Sequence, residues 1–269
     1  MDPERRRQYL DAMGIVGWSL REPAAPAPGP GSGHPRSAPG ANDPASSAAV
    51  PPTETADPAP QAGLPAEAVS APVPDRGAVA DMDWETLQAR VSACTACELH
   101  ASRTQAVFGV GNRVADWLIV GEAPGADEDR QGEPFVGRAG QLLNAMLRAC
   151  GLEREAVYIA NILKCRPPRN RDPRPEEVLA CEPYLLRQIA LVRPRIILAV
   201  GRIAAQNLLQ CDTPIGKLRG RVHHFRDTGI PLVATYHPAY LLRSPAEKRK
   251  AWSDLQLAMR TLAQEEQAG

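Results

Sequence analysis

Four short apolar runs recur along the chain between residues 117 and 236. Each is a nearly continuous stretch of Val, Ile, Leu and Ala, without the regular polar positions of a half-exposed strand. Such runs are typical of parallel strands that are buried on both faces of a sheet. We predict one strand from each run: 117–121 (WLIVG), 157–162 (VYIANI), 195–201 (RIILAVG) and 231–236 (PLVATY).

Segments with helical periodicity separate these strands, and another follows the last of them. We predict helices over residues 140–150, 175–191, 203–209 and 245–264. Strands that alternate with helices indicate an α/β fold, here three α/β/α layers around a four-stranded parallel sheet. In such sheets the ligand binds beyond the carboxyl ends of the strands.

The first part of the chain has a different composition. Fifteen of the 27 prolines lie within residues 1–84, and residues 23–74 are dominated by Pro, Ala, Gly and Ser. Such a stretch cannot bury enough apolar surface to offset the entropy lost on ordering. We therefore predict three regions: a short amphipathic segment over 1–22, a disordered Pro/Ala-rich linker over 23–83, and a globular domain over 84–269. Residues 5–21 dock on a protein partner or back on the domain, or they form only a short terminal helix.

The net charge is zero but unevenly distributed. Residues 1–84 carry six basic and eleven acidic side chains, and the remainder carries 25 basic and 20 acidic ones. A mildly basic domain permits nucleic-acid binding without proving it. No apolar run approaches the ~20 residues that span a bilayer, and the start lacks a secretory signal. We expect a cytoplasmic protein, and there six cysteines are thiols or metal ligands rather than disulfides.

Three of the four strand ends deliver polar or glycine-rich sequences to one rim, which predicts an active site there. The most unusual of them is the segment "VGEAPGADEDRQGEPFVGRAGQLL", residues 120–143, in which a glycine-rich turn is crowded with acids. Acidic side chains would repel a phosphate, and no P-loop lysine is present. A nucleotide-binding enzyme is therefore excluded.

Four of the cysteines form the pattern C-x2-C-x67-C-x15-C. Cys94 and Cys97 are spaced like a metal clip, and Cys165 and Cys181 follow far downstream. The spacing suits either zinc or an iron–sulfur cluster and does not decide between them.

With these motifs assembled, the chain resembles the family 4, iron–sulfur uracil-DNA glycosylases. The resemblance covers roughly residues 85–265. It rests on the 120–143 segment, "NILKCRPPRNRDP" (161–173), "TYHPAYLLR" (235–243) and the cysteine spacing. It implies that Cys94, Cys97, Cys165 and Cys181 hold a structural [4Fe–4S] cluster. The glycine-rich turn would then hold uracil, a neutral base that is flipped out of DNA.

The resemblance also implies how the base is held. Gly121, Glu122 and Ala123 would line the pocket with backbone groups, and Phe135 would stack on the uracil. Asn161 would pair with O4 and N3–H, and His237 would donate to O2 as negative charge develops there. Simpler alternatives are a core phenylalanine and an asparagine that caps a turn. Glu122, Asn161 and His237 are the expected catalytic residues.

The contacts with DNA follow from the same resemblance. Leu241 occupies the place of the side chain that wedges into the base stack. A set of basic residues near the rim would contact phosphates, the alternative being a solvated basic loop. They are Lys164, Arg166, Arg169, Arg171 and Arg243.

Two features depart from the best-known family 1 enzymes. Ala123 stands where those enzymes have the aspartate that orients water, so Glu122 or Glu128 must handle the water, and Glu122 is favoured by its place in the motif. Gly125 stands where a tyrosine blocks the methyl group of thymine. Thymine exclusion must therefore have another basis, for which Glu128 is a candidate.

Two functions compete. The first is a monofunctional glycosylase that releases uracil from single- or double-stranded DNA and leaves an abasic site. We expect such an enzyme to be a monomer that associates with the nucleoid when acting. The second is a non-catalytic iron–sulfur protein that binds DNA or accompanies a polymerase. A protein that only binds DNA has no reason to retain a base pocket, which favours the glycosylase.

Overall fold

The computed structural model describes residues 76–268, together with residues 4, 7, 8 and 11. The segment predicted over 1–22 and the linker predicted over 23–83 therefore lie largely outside the described residues. The folded part begins earlier than composition indicated. Helix α1 (Arg76–Ala80) precedes the predicted boundary at residue 84, and its Val79 is buried with Leu87 and Tyr184. Residues 76–83 thus belong to the domain and not to the linker.

The described chain forms a sheet of six strands in the order β1-β3-β2-β4-β6-β5. The four predicted strands are its centre, and they are mutually parallel. Two short antiparallel strands, which were not predicted, extend the sheet at its edges. The strands are β1 (Val110–Gly111), β2 (Trp117–Gly121), β3 (Tyr158–Asn161), β4 (Ile196–Val200), β5 (Val222–Phe225) and β6 (Ile230–Thr235).

Helices cover both faces of this sheet, which confirms the three-layer α/β/α prediction. In β2, Ile119 belongs to one buried cluster, whereas Leu118 and Val120 belong to the cluster on the other face. The residues of β2 are thus buried on both faces of the sheet, as its continuous apolar run predicted. The remaining helices are α2 (Trp84–Ser92), α3 (Ala126–Gln131), α4 (Arg138–Ala149), α5 (Pro175–Val192), α6 (Arg202–Leu209), α7 (Ile215–Leu218), α8 (Pro238–Arg243) and α9 (Lys248–Ala268).

The strand order fixes where the loops meet. Strand β2 pairs with β3 on one side and with β4 on the other, so the chain reverses its direction across the sheet between β3 and β4. Loops that leave the carboxyl ends of strands on either side of such a switch point diverge and open a crevice between them. The loops after β2, β3, β4 and β6 all reach this edge. No helix in the described ranges is both long and apolar enough to cross a membrane.

Candidate active site

A cavity of about 410 Å³ opens at this edge of the sheet. Its walls come from the loops after β2, β3 and β6 and from the start of α4. All the predicted base-binding residues except Gly121 line it. The lining residues that bear on binding and catalysis are Glu122, Ala123, Gly125, Glu128, Phe135, Asn161, Arg171, His237, Tyr240 and Arg243.

Gly121 contributes by its lack of a side chain. A Cβ atom at this position would lie 2.4 Å from Asn161 Oδ1 and 2.6 Å from Phe135 Cζ. The carbonyls of Gly121 and Glu122 accept hydrogen bonds from the amides of Ile162 and Leu163. Gly121 therefore lets the two pocket side chains come close, while these two carbonyls are already engaged with the loop after β3.

Asn161, the last residue of β3, carries an unusual polar group. The residue is only 2% exposed, and its Oδ1 is buried without a hydrogen-bond partner among the described residues. A buried acceptor left unpaired costs about 1–3 kcal/mol, so it is retained where something binds to it. The side chain lines the cavity. It is therefore positioned to accept a hydrogen bond from a ligand.

Phe135 is held in a strained conformation beside Asn161. Its φ of 54° lies in the left-handed region, which is rare for a bulky side chain and costs on the order of 1–3 kcal/mol. Arg154 offsets this cost by donating to the carbonyls of Pro134 and Phe135, at 2.6 and 3.3 Å. The Phe135 ring stacks against the His237 ring, with centroids 5.6 Å apart and planes at 29°.

Glu128 supports the same loop with both of its carboxylate oxygens. Oε1 accepts from the amides of Val136 and Gly137, and Oε2 accepts from the amide of Gly125. A Cβ at Gly125 would lie 2.7 Å from Oε2, so no larger residue fits there while Glu128 keeps this contact. Glu128 thus positions this loop, and its engaged carboxylate favours Glu122 as the candidate for handling the water.

His237 is the N-cap residue of helix α8 and is a neutral hydrogen-bond donor. Its Nδ1 accepts from the amide of Ala239 at 3.1 Å, so the ring proton of the neutral imidazole must reside on Nε2. Burial lowers the pKa of His237 to about 4, and the positive charge of Arg243 acts in the same direction. The ring is therefore uncharged at neutral pH. Gly201, whose φ is +100°, leaves room for the His237 side chain, because a Cβ at residue 201 would lie 3.0 Å from His237 Cβ.

Glu122 directly follows β2 and is partly buried. Burial raises its pKa to about 7, the negative charge of Asp172 raises it further, and Arg202 opposes the shift. Within the described chain, no hydrogen-bond donor to its carboxylate is found. Glu122 is thus the carboxylate of the cavity that is available for a reaction.

A second, smaller cavity gathers the four predicted cysteine ligands. Cys94, Cys97, Cys165 and Cys181 all line it. Tyr184 donates to Cys94 Sγ at 3.2 Å. Burial raises the pKa of Cys97 to about 11 and that of Cys181 to about 12, so these thiols are protonated when nothing is bound. In the described chain, no three His, Cys, Asp or Glu side chains lie close enough to bind a single metal ion.

Comparison with known proteins agrees with this geometry. A model of the uracil DNA glycosylase superfamily matches residues 108–256, more than half of the chain, and these residues include both Asn161 and His237. The chain belongs to this superfamily.

Individual members of the superfamily are also similar in sequence. A type-4 uracil-DNA glycosylase of Archaeoglobus fulgidus is 49% identical over 170 residues, which are 61% of this chain and 85% of that protein. One of Pyrobaculum aerophilum is 44% identical over 180 residues, 65% of this chain and 92% of that protein. One of Thermotoga maritima is 47% identical over 161 residues, 60% of this chain and 83% of that protein.

Two of the residues expected to contact DNA are buried, and these predictions were wrong. Lys164 is 1% exposed, and its ammonium group bonds to groups inside the domain. Leu241 is 1% exposed and packs in the core beside α4. Neither side chain can reach DNA in this conformation. On helix α8 it is instead Tyr240 and Leu242, each 36% exposed, that face outward.

The other basic residues differ in their availability. Arg171 makes a bidentate ion pair with the buried Glu177, which ties the loop after β3 to helix α5. Arg169 and Arg243 are exposed, and Arg166 is partly exposed. Arg169 also has a left-handed conformation, with φ at 55°. These three remain candidates for phosphate contacts, whereas the first role of Arg171 is to hold the loop.

Two residues of the site were missed by the sequence analysis. Arg154 lies far from the motifs, and a single arginine after a helix carries no signal of the carbonyls it will contact. Tyr240 lies within the "HPAYLLR" segment, and its place in the cavity wall could have been inferred from the helical position beside His237.

The raised pKa of Glu122 predicts a pH dependence. If the carboxylate is the active form, excision should increase as pH rises through about 7, and one unit below the pKa it should be about tenfold slower than at the plateau. Asp172→Asn removes a negative neighbour, so the rise in activity should move to lower pH. Arg202→Gln removes a positive neighbour, so the rise should move to higher pH. Single-turnover rates between pH 5 and 9 measure this. A flat profile, or equal shifts in both variants, would contradict the assignment.

Proposed function

We propose that this chain is a monofunctional uracil-DNA glycosylase, which flips uracil out of DNA and hydrolyses its N-glycosidic bond. The observation that carries the proposal is the unpartnered Oδ1 of Asn161 in the wall of the cavity. Uracil N3–H is a donor that satisfies it, and the amide nitrogen of the same side chain can donate to uracil O4. Cytosine offers the reverse pattern at both atoms. The amide thus supplies selectivity for uracil.

Departure of uracil leaves negative charge on the base, and His237 is the residue suited to stabilise it. Its Nε2–H is the proton that the Ala239 contact leaves available, and donation to O2 strengthens as the bond breaks. A neutral donor lowers the barrier without transferring its proton. The adjacent Phe135 ring provides the face on which the base stacks.

Glu122 acts on the sugar side of the reaction. Its carboxylate can orient the attacking water and offset the positive charge of the oxocarbenium-like sugar. None of the described residues that line the cavity is a lysine, which agrees with hydrolysis rather than attack by an amine. The product is then free uracil and an intact backbone with an abasic site. Arg166, Arg169 and Arg243 contact phosphates around it.

Cys94, Cys97, Cys165 and Cys181 hold a [4Fe–4S] cluster. A shared cavity supports this proposal, since a four-iron cluster needs thiolates spaced more widely than the ligands of one ion. Bound, the cluster cross-links the segment before the sheet to the loop after β3 and to helix α5. We also propose that the protein acts as a monomer in the cytoplasm, where it associates with the nucleoid, and that the apolar residues within 5–21 offer a docking segment for a protein partner.

The cluster predicts a colour. Purified protein should be brown, with a broad absorbance near ~400 nm and about four irons per chain. Cys97→Ser should lose most of this absorbance. Cys211→Ser should keep it, because Cys211 is a partly buried cysteine in the loop after helix α6 and does not line the cysteine cavity. Iron and zinc analysis measures the outcome. Stoichiometric zinc in a colourless protein would contradict the cluster.

The activity is tested with matched oligonucleotides that carry a single uracil or a single thymine, followed by alkali to cleave abasic sites. Cleavage at uracil alone is the expected result. Cleavage without alkali would contradict the monofunctional mechanism. DNA binding with no cleavage in the brown protein would favour the accessory-protein alternative. Single- and double-stranded substrates are compared in the same assay.

A further inference from the structure

Lys164 is among the largest fully buried side chains of the described domain, although it lies in a basic loop at the rim of the sheet. An ammonium group that is removed from water is costly unless hydrogen bonds and a counter-charge compensate it. An apolar residue could fill the same space without the cost of burying a charge. The partners of Lys164 therefore indicate its role.

Two neutral groups accept hydrogen bonds from the ammonium. Nζ lies 2.9 Å from the backbone carbonyl of Asn161 and 2.7 Å from Gln188 Oε1. Gln188 is fixed in turn, because its Nε2 donates to the carbonyl of Phe108 and to the hydroxyl of Tyr158. No carboxylate of the described residues forms an ion pair with Lys164. These hydrogen bonds anchor the backbone of Asn161 but leave the positive charge uncompensated.

A counter-charge would come from a cluster bound in the cysteine cavity. Lys164 lines this cavity together with Cys165 and Cys181, and its own backbone amide faces the Cys181 thiol. When the cysteines bind iron they do so as thiolates, and the thiolate-ligated cluster is negatively charged. Lys164 thus lies between the proposed cluster and the residue proposed to read uracil.

We propose that Lys164 is a positioning residue that couples the two sites. The negative cluster stabilises the buried ammonium, and the ammonium holds the main chain of Asn161 so that the amide faces the base. This inference rests on the proposed function, since it assumes both the cluster and the reading of uracil by Asn161. It assigns the cluster a part in base recognition in addition to its cross-linking of the chain.

Lys164→Met tests the coupling, because methionine fills a similar volume without charge or donor. Two DNA ligands are compared: one with 2′-fluoro-deoxyuridine, which resists cleavage, and one with a tetrahydrofuran abasic analogue. The variant should bind the uracil ligand about tenfold more weakly, as expected for one lost positioning interaction, while its affinity for the abasic analogue and its iron content stay unchanged. Lys164→Arg should restore part of the difference.

Arg103→Met is the matched control. Arg103 donates to Cys165 Sγ at 3.0 Å and to the carbonyl of Ser92, but has no hydrogen bond to Asn161. Iron-loaded Arg103→Met should retain the wild-type preference for uracil. The coupling is overturned if Lys164→Met keeps that preference, or if Arg103→Met loses it equally. Wild-type protein that does not cleave at uracil in the assay with matched uracil and thymine oligonucleotides would instead overturn the proposed function itself.

Hydrogen exchange on the wild-type chain gives a test that needs no variant. Removing the cluster with an oxidant and chelator should accelerate amide exchange in residues 161–164, with strand β4 (Ile196–Val200) as the internal reference. The expected result is faster exchange in 161–164 with β4 unchanged. Equal acceleration in both segments, or none in 161–164, would show that the cluster does not act through Lys164.

Discussion

Replacing Asn161 by alanine is expected to lower uracil excision by about 30- to 1,000-fold, because two hydrogen bonds to the base, each worth about 1–2 kcal/mol in a buried site, are lost together. The side chain has no other partner for Oδ1 that would make it structurally essential. The variant should therefore fold and bind abasic-analogue DNA as the parent does. Single-turnover excision and DNA affinity, measured on the same preparation, separate the two effects.

Asn161→Asp is the matched control for shape. An aspartate has nearly the same size but cannot donate to uracil O4, and as a carboxylate it accepts at both oxygens. Its loss of excision should approach that of alanine at neutral pH. If Asn161→Asp excises uracil at the parental rate, donation to O4 is not needed. If Asn161→Ala does so, Asn161 does not read the base.

Much of the fold is predictable from the chain because burial on both faces imposes a continuous apolar pattern. Strand β2 occupies the predicted residues, 117–121, and β3, β4 and β6 differ by one or two residues at their ends. The edge strands escaped prediction for a physical reason. Strand β1 has only two residues, and β5 (VHHF) is half exposed, so neither has a hydrophobic pattern of its own. Both depend on pairing with a distant strand.

The site was predictable where a residue ends a central strand and less so where its partners are remote. Asn161 and His237 lie at or just beyond the ends of β3 and β6, and strand topology alone brings them to one edge. Lys164 and Leu241 were predicted to contact DNA from their position beside exposed motifs. Tertiary packing, which those motifs do not reveal, buries both side chains. Lys164 lies against the cysteine cavity, and Leu241 faces the core through the turn of α8.

The two glutamates illustrate the same limit. Glu122 and Glu128 are both acidic residues of one glycine-rich segment, and sequence alone left the water to either. Glu128 falls in the first turn of α3, where its carboxylate meets three backbone amides that are themselves brought together by the Phe135 loop. Glu122 has no such partners in the described structure, and burial raises its pKa to about 7. The two glutamates share one local sequence, and only their hydrogen bonds distinguish the positioning role of Glu128 from the proposed catalytic role of Glu122.

Replacing His237 by alanine should lower excision by about 10²–10³-fold, the usual loss when one donor to a developing negative charge is removed. His237→Gln is the informative partner, since the amide nitrogen of glutamine can take the place of Nε2. It should recover part of the rate, although the contact with Ala239 that orients the ring is lost. Because the pKa of His237 is about 4, neither variant should alter the rise in activity near pH 7.

The leaving group distinguishes charge stabilisation from simple positioning of the base. 5-Fluorouracil is more acidic than uracil and carries the departing negative charge more readily, so its release depends less on a donor to O2. The ratio of parental to His237→Ala rates should therefore be smaller for 5-fluorouracil than for uracil in otherwise identical DNA. Equal ratios would mean that His237 orients the base without stabilising its charge. The stacking contact with Phe135 would then be the larger part of its contribution.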